Sequence, residues 1–142
     1  GFAAVDSDNH FLVGKAKNQV FLAGMNQTIS ALSGSNAKII YLHDIPIDNN
    51  DPNLCLSTHK SDISACAIPT DNAIDQKWFA VENNIISQNN ISSIDPTFWI
   101  CKSDPCSPLD VNRQIYIDAT HLSATFSVTL ERPLWASVSS LS

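Results

Sequence analysis

The residues with the greatest chemical reach lie near the C-terminal end, in Tyr116-Ile117-Asp118-Ala119-Thr120-His121-Leu122-Ser123. An imidazole can take a proton from a hydroxyl nucleophile, and a carboxylate beside it fixes which ring nitrogen keeps its own proton. Side chains three residues apart meet when the chain makes a single helical or turn-like step. Asp118 would then accept from one ring nitrogen of His121, leaving the other to face a hydroxyl. This is the acid–base end of serine-type acyl transfer. Spacing alone carries little weight, because 12 aspartates in 142 residues place one three positions before a histidine readily by accident. The plainer alternative is a surface aspartate and a histidine capping the final helix. What adds weight is the frame, with extended apolar residues before, Leu122-Ser123 after, and then an amphipathic helix.

The elements that must position this pair follow from periodicity. Between Lys15 and Leu32, Phe21, Leu22, Met25, Ile29 and Leu32 recur at three- and four-residue steps, which predicts an amphipathic helix. Ser33-Gly34-Ser35-Asn36 supplies stop and turn chemistry. Lys38-Ile39-Ile40-Tyr41-Leu42 is a short apolar run, expected as a strand buried on both faces. Helix then buried strand is half of a βαβ unit, so a parallel sheet flanked by helices is expected.

From His43 to Asp71 the chain is polar and broken by Pro46, Pro52 and Pro69, as in a long loop that needs a staple. Ile74, Trp78, Val81 and Ile85 mark a second amphipathic helix, with Asp71 or Asn72 as its N-cap. Ile91–Ile94 suits a short strand, and Ile115–Ile117 a short extended piece. A last helix should start near Ser123, turn Phe126 and Leu130 inward, and end or kink at Pro133. Trp99 and Trp135 are expected in the core.

The chain has a net charge of −6, and its basic residues are scattered. It therefore offers no electrostatic footprint for nucleic acid or an anionic membrane. No apolar stretch approaches the roughly 20 residues of a membrane span. Cys55, Cys66, Cys101 and Cys106 suggest two local disulfides, 55–66 and 101–106, although four cysteines allow three pairings. Persistent disulfides belong to an oxidising compartment. Zinc, aided by His59, and free buried thiols are the rival readings, and the absence of any C-x-x-C knuckle counts against zinc. No cofactor is expected.

The tail Phe98-Trp-Ile-Cys101-x4-Cys106 through Tyr116-Ile-Asp118-x-x-His121-Leu-Ser123 resembles the last block of the SGNH hydrolase/acyltransferase superfamily. More narrowly, it is similar to SGNH domains fused to bacterial acyltransferase-3 membrane proteins, which O-acetylate cell-surface glycans. Asp44-Ile45-Pro46 followed by Cys55 resembles that family's strand-to-loop passage. The resemblance implies a flavodoxin-like α/β fold, a three-layer sandwich on a parallel sheet. It implies Asp118 as the triad acid and His121 as the base. In the family the nucleophile lies in Gly-Asp-Ser after the first strand, and the oxyanion hole uses a Gly and an Asn from two further blocks. Here Asp6-Ser7 after Ala3-Ala4-Val5 is an imperfect copy, so Ser7 is a possible nucleophile beside its plainer role as a loop or cap serine. Phe126 stands where the family usually has a small residue.

With too little chain between Ser7 and Lys38 for the middle strands, residues 1–142 are expected to be the C-terminal portion of an SGNH domain. The N-terminal half, with its nucleophile, would be absent and the isolated chain nearly inert. The implied activity is extracytoplasmic O-acyl transfer, such as acetyl transfer to hydroxyls of a lipopolysaccharide O-antigen. The acceptor would be a polysaccharide or lipopolysaccharide, and the acyl donor would arrive through a membrane acyltransferase domain of the parent protein. The implied location is the periplasm or extracellular face, tethered to the inner membrane. The alternatives are a secreted GDSL-type esterase and a non-catalytic, disulfide-stapled binding domain.

Overall fold

The computed structural model describes residues 3–48 and 50–141. Helix α1 runs Gly14–Ser33 and is followed by strand β1, Ile40–Leu42. Three short helical pieces come next: α2 Pro52–Thr58, a 3-10 turn Ile63–Cys66, and α3 Thr70–Ala73. Helix α4 spans Gln76–Asn89, strand β2 Ser92–Ile94 and helix α5 Thr97–Ile100. Strands β3 (Leu109–Asp110) and β4 (Arg113–Gln114) precede α6 (Ala124–Ser127), a 3-10 turn and α7 (Glu131–Leu141). β1 pairs with β2 in a small parallel sheet, the arrangement that the helix–strand alternation predicts for an α/β chain. β3 and β4 pair antiparallel, Leu109 opposite Gln114 and Asp110 opposite Arg113.

The described chain forms two compact units, residues 3–41 with 80–93, and residues 42–79 with 94–141. In the first, Ile29 is the buried centre of α1's apolar face. Asn26 of α1 accepts from Asn89 of α4 at 2.6 Å. The Tyr41 hydroxyl donates to the buried Glu82 carboxylate at 3.1 Å, giving that acid a partner away from water.

The second unit packs around Ile100, Ile115, Tyr116 and Phe126, with Ile45, Leu122 and Leu130 against them. Ala73, Cys101, Cys106 and Ile68 form a smaller cluster. Both disulfides lie in this unit. Cys55–Cys66 ties α2 to the 3-10 turn, and Cys101–Cys106 closes the loop after α5. Ile68 and Cys106 exchange backbone hydrogen bonds of 2.7 and 3.0 Å, so the two stapled loops brace each other.

Several sequence expectations need correction. The 43–71 segment is not structureless. Asp51 accepts from the Asn53 and Leu54 amides, and Pro52 sits where a helix needs no donor, so α2 forms. Helix α4 is capped by Asp75, which accepts from the amides of Lys77 and Trp78 at 3.0 Å, and not by Asp71 or Asn72. Leu42 is half exposed, so β1 is not buried on both faces. The helical run that starts at Ala124 passes through a 3-10 turn at Val128–Leu130 and continues beyond Pro133, so Pro133 does not end it. It is the third residue of α7, just past the 3-10 turn, which is where a missing helical donor is most easily accommodated. Trp135 is 71% exposed and lies outside the core.

Candidate active site

Asp118 and His121 meet at the tip of a short reversal in the chain. Tyr116 and Leu122 form an antiparallel bridge, and the Ile117 amide donates to the His121 carbonyl at 2.9 Å. The Ser123 amide donates to the Ile115 carbonyl at 2.7 Å. Between these rungs the chain must turn, and the Asp118 side chain organises the turn. Its Oδ1 accepts from the Thr120 and His121 amides, each at 2.8 Å. Its Oδ2 lies 2.8 Å from His121 Nδ1. With the proton on Nδ1, the carboxylate fixes the ring's tautomer, and Nε2 carries the free lone pair.

The pair faces solvent, with side-chain exposures of 73% for His121 and 50% for Asp118. The Thr120 amide, then the His121 side chain and amide, hold the Asp118 carboxyl down at about 2. Each of these donors stabilises the ionised form. Because the folded value is depressed, the turn's stabilisation is present above the ordinary carboxylate range and is lost as pH falls through about 2. Carboxyl ¹³C titration should therefore give Asp118 a midpoint near 2. A midpoint at an ordinary aspartate value would mean the turn is not held as described.

Behind the turn lies a hydrogen-bonded, partly buried layer that the sequence did not reveal. The buried Tyr116 hydroxyl donates to the Pro46 carbonyl at 2.8 Å. The Asp48 amide donates to the Ala119 carbonyl at 3.0 Å, so the 46–48 segment lines the back of the turn. Burial raises the Asp48 carboxyl above its ordinary value, and burial, then the nearby Asp48, raises the Tyr116 hydroxyl. From α2, the Asn53 amide group donates to the Ile117 carbonyl and accepts from the Gln114 side chain, both at 2.5 Å. Ser123 closes the segment. Its hydroxyl donates to the Gln114 carbonyl and accepts from the Phe126 amide, capping α6.

Tyr116 and Ser123 belonged to the motif; Ser123 bonds locally, but the partner of Tyr116 lies 70 positions away. Asn53 and Pro46 carry no periodic signal that would have found them.

Ser7 lies in the first unit, exposed in a turn between the bridged residues Val5 and Phe11. Asp6 organises that turn by accepting from the amides of Asp8 and His10, each at 2.9 Å. Among the described residues the Ser7 hydroxyl has no hydrogen-bond partner. Cys55, His59 and Cys66 cluster as zinc ligands would, but the two sulfurs are bonded to each other and neither is a thiolate, so the zinc and free-thiol readings fall. His43 is buried and stacks on Phe79, with ring centroids 4.6 Å apart.

Taken together, this is an α/β chain that presents an ionised acid and an oriented imidazole at a solvent-facing turn. It matches the family model for the SGNH domain fused to AT3 domains over residues 3–136, and the chain belongs to that family. Membership brings with it an SGNH hydrolase-like function associated with acyltransferases. No curated protein and no solved structure matches the chain. No helix among the described residues is long and apolar enough to cross a membrane.

Proposed function

We propose that this chain is the C-terminal portion of an SGNH domain that transfers an acyl group, most simply acetyl, to a hydroxyl of a cell-surface polysaccharide. Asp118 and His121 are the acid and base of its Ser-His-Asp triad, and the nucleophilic serine lies outside residues 1–142. The observation that carries this is the Asp118 Oδ2–His121 Nδ1 contact of 2.8 Å, in a turn that leaves the other ring nitrogen open. The family's fusion to AT3 domains supports transfer over hydrolysis, since such a partner domain can deliver the acyl donor. Two disulfides support a site outside the cytoplasm, at the periplasmic or outer face of the membrane.

In the proposed cycle, His121 Nε2 takes the serine proton as the serine oxygen attacks the acyl carbonyl. The imidazolium then gives that proton to the departing donor group, leaving an acyl-serine. A glycan hydroxyl enters, loses its proton to Nε2 and attacks the acyl-serine. The collapse forms the glycan ester, and the proton returns to the serine. Asp118 stays ionised throughout and stabilises the transient imidazolium.

Transfer and hydrolysis are separated by following label. With a [¹⁴C]acetyl donor and the full-length protein, the label should appear as an ester on the polysaccharide. Label released only as free acetate would overturn transfer and favour the secreted-esterase alternative.

A further inference from the structure

Next to the Asp118 turn, the β3–β4 hairpin and Thr125 enclose an open groove of about 580 Å³, lined by Asp110, Val111, Asn112, Arg113, Gln114 and Thr125. Its charge is simple. Lys102 holds the Asp110 carboxylate at 2.7 Å, while the Arg113 guanidinium has no ion-pair partner among the described residues. The groove therefore presents one free cation among two amides and a hydroxyl.

The tip of the hairpin adds a second, independent observation. Val111 has φ +59°, a left-handed conformation that a β-branched side chain disfavours strongly and that Gly or Asn would adopt with ease. It is also 87% exposed, so its isopropyl group stabilises no core. The two-residue turn between Asp110 and Arg113 imposes that conformation, but such a turn favours Gly or Asn, so fold stability does not account for a valine there.

We propose that this groove is a subsite for an acidic sugar unit of the acceptor glycan. The inference rests on the polysaccharide reading above and narrows its substrate class. A uronic-type sugar has an apolar C–H face and a carboxylate edge. The first suits Val111, and the second suits the planar fork of Arg113. Asn112 and Thr125 offer partners for ring hydroxyls. The groove is also wired to the Asp118 turn. Gln114 lines it and donates to Asn53, which holds the Ile117 carbonyl, and Ser123 donates to the Gln114 carbonyl. A sugar held here would rest on the same hydrogen-bonded framework that shapes the Asp118 turn.

The test is binding of a galacturonate trimer and of its neutral methyl ester to the full-length protein. The acid should bind about tenfold more tightly than the ester, and Arg113→Gln should abolish that preference. Val111→Gly should raise the domain's unfolding midpoint while weakening trimer binding severalfold, because it relieves strain but removes the apolar contact. Equal binding of acid and ester, binding of neither, or a preference that survives Arg113→Gln would overturn the subsite. None of these readouts uses His121. If the preference is missing while His121-dependent transfer persists, only the subsite fails. If transfer persists in His121→Ala, the catalytic reading fails and the binding result stands.

Discussion

In the full-length protein, His121→Ala should lower acyl transfer by on the order of 10³-fold or more, with little change in the domain's unfolding midpoint. The imidazole is 73% exposed, so its removal leaves no buried cavity, and the Asp118 carboxylate keeps its bonds to the Thr120 and His121 amides. What disappears is the group that the proposed cycle uses to move the proton in both half-reactions. Asp118→Asn should cost a comparable factor by a different route. The asparagine oxygen can still accept from the two backbone amides and preserve the turn. Its NH₂ group, however, would donate to His121 Nδ1 and force the proton onto Nε2, where it blocks the base. Imidazole ¹⁵N shifts of His121 test this second route against the unsubstituted protein. Asp118→Asn should move His121 to the Nε2–H tautomer, whereas a merely structural role for Asp118 would leave the ring unchanged. Transfer that survives His121→Ala would remove the catalytic assignment and favour a disulfide-stapled binding domain.

The division between what the sequence disclosed and what it hid follows the range of the interactions. Asp118 and His121 are three residues apart, and the bond between them needs only the local turn, so the pair was legible. The Cys55–Cys66 and Cys101–Cys106 pairings are likewise short in sequence. Helices α1 and α4 were announced by apolar periodicity, which reports one buried face. The layer that holds the turn was not legible, because Tyr116 reaches Pro46 across 70 positions and Asn53 reaches Ile117 across 64. A polar side chain that bonds one distant carbonyl has no period to betray it. Pro52 marks a helix start and not a break, because at the first position of α2 its missing donor harms nothing. Trp135 shows the limit of composition, since a large aromatic side chain is no guarantee of burial.

Phe126 tests whether that supporting layer is a true core. The resembled family usually has a small residue here, yet this phenyl ring is 0% exposed and packs with Ile100, Ile115 and Tyr116. It also stands three residues after Ser123, and its amide donates to the Ser123 hydroxyl, so the same residue anchors the end of α6 that follows the Asp118–His121 turn. Truncating a fully buried Phe loses its transfer energy and leaves a cavity, typically about 3–5 kcal/mol in total. Phe126→Ala should therefore lower stability by that amount in urea titration, while Phe126→Leu, which keeps most of the volume, should lose far less. The slope of the unfolding transition should stay unchanged if the damage is confined to the native core. Near the midpoint of Phe126→Ala, transfer should fall in step with the folded fraction, because the Ile115–Ser123 rungs that shape the turn rest directly on this cluster. At temperatures where the variant is fully folded its activity should stay well above that of His121→Ala. A loss below about 1 kcal/mol would mean that the ring is not packed as described, and that the turn draws its rigidity from the Asn53 and Asp48 contacts instead.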